Sequence, residues 1–213
     1  MMKRLFLLLG LMLGIAGVQA QVPAEVTDVM NKCRAAMTNP NGLEYEMDTK
    51  AGLGPLAMKM HFVIADKGNL NRTTMTMKIM GIEVTTESGF DGINTWEIEH
   101  SEKRDTITIT KGDTRKKSEG DLSLDLDKKY NKAKMKLKDG YYEIAFSEPK
   151  DKDNEAKSVT IKVQEKNHIL REVRSGARGA KVTMTVTKVR VGLKDNYFKI
   201  DLSEYPNAVV IRN

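Results

Sequence analysis

The chain of 213 residues contains a single cysteine, Cys33. A monomer therefore has no disulfide, and packing and hydrogen bonding must hold it together. Cys33 follows Met30-Asn31-Lys32, which is not the small, apolar box of a lipid-attachment cysteine, so it is read as a small apolar helix residue. Aromatic residues make up only 6% of the sequence. They do not interleave with basic clusters as single-strand binders require, so no nucleic-acid partner is expected. The three histidines, His61, His100 and His168, show no metal-ligand spacing, and no nucleophile motif or phosphate loop accompanies them. Asp121, Asp125 and Asp127 imitate a calcium run but lack the glycine and terminal glutamate of that loop. No catalytic residue, metal or cofactor is expected, and the chain is not read as an enzyme. Beyond residue 20 no apolar stretch approaches the ~20 residues that span a bilayer.

The N-terminus carries a different signal. Met1-Met2-Lys3-Arg4 is basic, Leu5–Ala16 is almost wholly apolar, and Val18-Gln19-Ala20 is a small-x-small site. Together these predict a secretory signal peptide over residues 1–20, cut after Ala20. The remainder, 21–213, is expected to form one domain. Formal net charge is +6, and losing Lys3 and Arg4 leaves a mild +4.

One amphipathic helix is predicted from Pro23 to Asn39, with Val22, Val26, Val29, Met30, Cys33, Ala36 and Met37 on its apolar stripe. From Leu43 onward apolar and polar residues alternate, as in Met58, Met60, Phe62, Ile64 or Val182, Met184, Val186. A period of two marks strands with one buried face. Six are predicted between Leu43 and Lys111, linked by hairpin signals such as Asp91-Gly92. Six more are predicted at Lys132–Lys138, Tyr141–Ser147, Lys157–Gln164, Ile169–Ser175, Lys181–Val191 and Tyr197–Leu202, and a last short edge strand within Tyr205–Ile211. In Lys132–Lys138 the lysines are expected in water and Ala133, Met135 and Leu137 inside. A short helix or movable cover is expected near Leu122–Lys132.

Supply and demand do not match. A helix covers a strip about 10 Å wide, whereas strands lie about 4.8 Å apart. Two helices cannot cover the apolar face of some twelve strands, so the sheet is expected to curl and leave an apolar hollow. Of thirteen methionines, Met1, Met2 and Met12 fall in the leader and ten remain. Flexible thioethers suit varied apolar ligands. The predicted lining is Met58, Met60, Phe62, Met75, Met77, Trp96, Ile98, Met135 and Met184.

Three features resemble the outer-membrane lipoprotein carrier family (LolA-like proteins). The first is the layout of leader, helix, Gly42-Leu43-Glu44-Tyr45 and strands. The second is Val84-Thr85-Thr86-Glu87-Ser88-Gly89-Phe90-Asp91-Gly92-Ile93-Asn94-Thr95-Trp96. The third is the ending, Phe198-Lys199-Ile200-Asp201-Leu202 through Pro206-Asn207-Ala208-Val209-Val210-Ile211. The resemblance implies a mainly β fold (α+β): a large curved antiparallel sheet forming a half-open barrel, its concave face covered by an N-terminal and a short central helix. It implies a monomeric periplasmic chaperone that shields the acyl chains of lipoproteins or other lipids in transfer toward the outer membrane. Its partners would be an inner-membrane exporter and an outer-membrane acceptor. Many members carry an Arg-Pro pair after the second strand, whose arginine helps hold the lid shut. Here that region reads Ala65-Asp66-Lys67-Gly68-Asn69-Leu70-Asn71-Arg72, without the pair. The alternative is a periplasmic sensing or interaction module on the same fold. It would have a filled core and bind a partner protein by its sheet edge or charged face.

Overall fold

The computed structural model describes residues 22–52, 57–79, 82–101, 103–114, 124–151, 153, 156–177 and 180–213. The expected leader, and Leu122 and Ser123 at the start of the short helix or cover expected near Leu122–Lys132, lie outside these residues. The N-terminal helix α1 spans Ala24–Met37, with Pro23 just before its first turn, and buries Val26, Val29, Met30, Cys33 and Met37. The first meander comprises β1 (Leu43–Gly52), β2 (Met58–Lys67), β3 (Leu70–Ile79), β4 (Ile82–Phe90), β5 (Asn94–Glu99) and β6 (Thr106–Lys111). A one-turn helix α2 (Leu126–Lys129) leads into β7 (Tyr130–Lys138), β8 (Tyr141–Pro149), β9 (Ser158–Gln164), β10 (Leu170–Ala177) and β11 (Ala180–Val191). The chain closes with β12 (Val209–Arg212).

The twelve strands among the described residues form one sheet in the order β12-β6-β5-β4-β3-β2-β1-β11-β10-β9-β8-β7. Antiparallel pairing of β1 with β11 fuses the two meanders, while β12 runs parallel to β6. The outermost strands β7 and β12 do not pair with each other, so the sheet is open. At the tip of the β7–β8 hairpin, Asp139 and Gly140 have φ of 51° and 77°. Positive φ at both positions matches the twist of the flanking strands and favours this dipeptide.

Register sorts the side chains onto two faces. On one, Leu43, Tyr45, Met47, Thr49 and Ala51 of β1 stand opposite Asp66, Ile64, Phe62, Met60 and Met58 of β2. Met60 and Phe62 in turn face Met77 and Met75 of β3. The same phase continues through Val186 and Met184 of β11 to Val159, Ile161 and Val163 of β9. Helix α1 packs on this helix face, in one cluster with Leu126, Tyr130, Ile144, Phe146 and Leu170.

The apolar phase then changes sides. Across the β4–β5 hairpin Phe90 pairs with Thr95 and Gly89 with Trp96. Trp96, Ile98 and Ile107 therefore lie on the outer face, where they form a separate cluster with Ile200, Leu202, Tyr205 and Ala208. The tail 193–208 covers them. The predicted strand Tyr197–Leu202 is not a strand: the chain makes two 3-10 turns, Asp195–Phe198 and Leu202–Glu204. Its alternation seats Phe198, Ile200 and Leu202 on the sheet without any ladder partner. Leu137 also departs from expectation, at 55% exposure near the end of edge strand β7.

Polar contacts pin the tail. The Trp96 indole N–H donates to the Phe198 carbonyl at 3.0 Å. Arg72 donates to the Tyr197 carbonyl at 3.3 Å and to Glu87 at 2.7 Å, and its guanidinium lies 5.6 Å from the Trp96 ring centroid and 5.4 Å from that of Tyr197. The buried Glu44 carboxylate accepts from Arg190 at 2.8 Å and from the Tyr197 hydroxyl. A Cβ on Gly89 would stand 2.5 Å from a Trp96 ring atom and 2.6 Å from the Asn71 carbonyl oxygen.

Gly89→Ala is expected to cost about 1–3 kcal/mol, since neither the ring nor the backbone can recede without strain. A urea unfolding midpoint unchanged from wild type would refute this. Burial first, and the hydrogen bond to Glu44 second, push the Tyr197 phenol above its ordinary value. The folded state thus holds this proton more tightly than the unfolded chain. The associated stability is complete below about pH 10 and is lost as pH climbs through the folded value. As pH rises above about 10 the Tyr197→Phe variant should show a shallower fall in stability, followed by fluorescence of Trp96, the sole tryptophan.

Candidate functional site

The helix face divides into a covered and an uncovered part. Helix α1 carries an apolar stripe because Val26, Val29, Met30, Cys33 and Met37 recur every three or four residues. Their cluster takes in strands β7–β11 and β1, and reaches β2 only through the partly buried Phe62 and Ile64. Met58, Met60, Met75, Met77 and Val84 do not belong to it. They form a strip across β2, β3 and β4, where Met60 pairs with Met77, Met77 with Val84 and Met75 with Thr86.

This strip is open. Met60, Met75 and Met77 are half-buried, while Met58, Val84 and Ile82 are 47%, 36% and 62% exposed. Beyond it the face turns polar, with Thr86 and Ser88 of β4 opposite Glu99 and Glu97 of β5. The strip is thus an apolar band about three strands wide, roughly 10–15 Å, between the helix cluster and a polar margin. At its floor Thr49 stands between Met60 and Met184. It is 3% exposed, and its hydroxyl has no hydrogen-bond partner among the described residues.

The nine predicted lining residues separate into three groups. Met58, Met60, Met75 and Met77 lie in the open strip, with Phe62 at its boundary. Met135 and Met184 are partly buried and pack against the helix cluster. Trp96 and Ile98 are each 1% exposed on the outer face under the tail. Their placement in the same lining is corrected: one sheet cannot present Trp96 and Met77 on the same side with this β4–β5 register. Ile82 and Val84 were missed as strip residues. Their phase within β4, shared with Phe90, was the available signal.

A polar staple fixes the cover. Arg34 on α1 donates to the Leu124 carbonyl at 2.7 Å and to both carboxylate oxygens of Asp127 at 2.8 and 3.1 Å. The Asp127 side chain is only 3% exposed, and Asp125 lies 3.6 Å from the same guanidinium. These aspartates therefore join the helices, while Asp121 lies outside the described residues. Among the described residues no group of three or more His, Cys, Asp or Glu could hold a metal ion, and no helix is long and apolar enough to cross a membrane. Beneath the staple, burial pushes the Cys33 thiol up to about 12.

No family model and no curated protein matches the sequence. Solved structures of similar fold include an uncharacterized conserved protein from Thermus thermophilus, at 7% identity and a TM-score of 0.49, covering 89% of this chain and 99% of that one. MucB of Pseudomonas aeruginosa in complex with MucA is similar at 9% identity and a TM-score of 0.47, covering 84% of this chain and 62% of that one. A LolA superfamily protein from Nitrosomonas europaea is similar at 9% identity and a TM-score of 0.38, covering 82% and 97%. At these identities the likeness is one of fold alone.

Cys33 should resist thiol reagents in the native protein, since the thiolate is scarce well below its raised pKa. Arg34→Gln leaves the Asp127 carboxylate buried without its cation, a loss of about 1–3 kcal/mol. Cys33 labelling, which requires α1 to lift, should then quicken about tenfold. An unchanged labelling rate would show that the staple does not hold the helix.

Proposed function

We propose that this chain is an exported, single-domain carrier. In this reading its leader is removed after Ala20, and it shields the acyl chains of lipoproteins or other lipids on the helix face during transfer toward the outer membrane. The observation that carries the reading is the open strip of Met58, Met60, Met75, Met77 and Val84 beside a closed core. A sheet face this apolar needs a cover, and methionine adapts to chains of varied length and saturation. The width of the strip suits extended alkyl chains lying along or across the strands. The unpartnered Thr49 hydroxyl at its floor offers a hydrogen bond to a carbonyl at the head of such a chain. An exporter on the loading side and an acceptor on the unloading side are the partners this role needs. The chain would act as a monomer, without cofactor or catalytic step.

The test is displacement of a fluorescent fatty-acid probe, together with native mass spectrometry of the purified protein for retained lipid. Met60→Lys with Met77→Lys is expected to weaken probe binding at least about tenfold, because acyl burial against an ammonium strands that charge. Ile98→Val on the outer face should leave probe binding unchanged. Absence of both retained lipid and probe binding would sink the carrier reading. Equal sensitivity to Met77→Lys and Ile98→Val would show that the site is not the strip.

A further inference from the structure

One end of the sheet is cationic on the outer face and apolar on the helix face. On the outer face Lys50 of β1 pairs directly with Lys59 of β2. Lys59 and Lys78 stand one step beyond the Met60–Met77 pair, and Lys78 pairs with Glu83. Lys181 lies at the same end of β11, opposite Gly52. Lysines directly opposite one another repel, and sheets ordinarily place opposite charges there. Elsewhere this chain does so: Lys136 meets Glu143 at 2.7 Å and Lys188 meets Glu46 at 2.8 Å. Among the described residues Lys50, Lys59 and Lys78 have no ion pair, and the nearby Asp48 is engaged by His61 at 2.8 Å. Lys50, Lys59 and Lys78 line a shallow hollow of about 280 Å³ with Asp48, His61, Thr76 and Glu83. At this same end, on the helix face, the exposed apolar side chains Met58, Ile82 and Val84 cluster. The connecting residues 53–56 and 80–81 form no part of the site.

We propose that this end of the sheet docks on an anionic lipid bilayer, with Lys50, Lys59 and Lys78 against headgroup phosphates and Met58, Ile82 and Val84 in the interface beside them. Charge complementarity selects the occupant. Three lysines crowded side by side, with an acid directly opposite only at Lys78, gain from a surface of negative charges, and adjacent exposed apolar side chains gain by entering the headgroup boundary. A protein partner would equally need a surface both acidic and greasy, which a bilayer supplies without specific geometry. Docking here brings the mouth of the open strip against the membrane. The proposal stands on the patch and does not require the strip to carry lipid.

The test is co-sedimentation of the exported, processed protein with phosphatidylcholine vesicles, with and without phosphatidylglycerol, at low and high salt. Binding is expected only with phosphatidylglycerol, and weaker at high salt. Each lysine near such a surface contributes about fivefold, so K50Q/K59Q/K78Q should lose roughly 100-fold. K134Q/K138Q, which removes charge from the exposed edge strand β7, should lose little. M58S/I82S should weaken binding about fivefold or more without changing the salt slope. Circular dichroism and Trp96 fluorescence confirm that each variant is folded, and fatty-acid probe binding without vesicles separates failure of docking from failure of carriage. Equal losses per charge in the two lysine variants would reduce the effect to net charge and overturn the proposal. So would indifference to phosphatidylglycerol, or retention of full binding by M58S/I82S. Saturable binding of inorganic phosphate or glycerophosphate that displaces protein from no vesicle would mark a soluble-anion subsite instead, and would also overturn it.

Discussion

The register of the β4–β5 hairpin is the constraint from which the rest of the architecture follows. Because Gly89 stands opposite Trp96 and Phe90 opposite Thr95, the apolar phase of β5 and β6 points away from α1. Strands alternate strictly, so a slip of one residue would send Trp96, Ile98 and Ile107 to the helix face and turn Thr95 and Glu97 under the tail on the other. With the observed register, the sheet needs two covers. The helices serve one face from β7 to β2, and the tail 193–208 serves the other from β2 to β6. Gly89 is where the second cover is tightest, since the indole lies flat where any side chain would stand. The Trp96 N–H then reaches the Phe198 carbonyl and ties the cover down.

The first cover is limited by length. Fourteen residues of helix extend about 21 Å, while twelve strands side by side extend about 53 Å. With its apolar stripe committed to the centre and the β7 side of the sheet, α1 cannot reach β3 and β4. Polar Thr86, Ser88, Glu97 and Glu99 show that the outer margin of the helix face is built for water. Between these limits remain the methionines of β2 and β3, apolar in sequence yet open in structure. Their exposure follows from the helix being short and from the phase change being placed one strand beyond them.

Much of this was legible in the sequence, since a period of two names the strands and the side chains that share a face. Eleven of the twelve observed strands match segments predicted between Leu43 and Val191, and β12 overlaps the expected edge strand. Two things were not legible. Alternation in Phe198, Ile200 and Leu202 tells which side chains point down but not whether the backbone has a neighbour. The segment therefore looked like a strand although it crosses the outer face as 3-10 turns. The phase relation between consecutive strands depends on hairpin length. Residues 91–93 between β4 and β5 decide whether Trp96 joins Met77 or opposes it, and composition does not settle that. The same gap explains why seven of the nine lining residues fall on the helix face and two do not.

Arg72 shows how a family resemblance and a local structure can part. In the resembling family an arginine beside a proline helps hold the lid shut. Here Arg72 points to the outer face, where Glu87, Trp96 and the Tyr197 carbonyl hold it. It clamps the tail, and Arg34 with Asp127 secures the helices. The two clamps share no residue and lie on opposite sides of the sheet. Lifting α1 would cost the Arg34 contacts and the burial of Val26, Val29, Met30 and Cys33, while leaving every tail contact intact. Release of the tail would expose Trp96 and Ile107 but leave the helix cluster closed. A sheet with independently fastened covers can widen its apolar strip on one face without loosening the other, which is the mechanical condition a binding face on an otherwise permanent core requires.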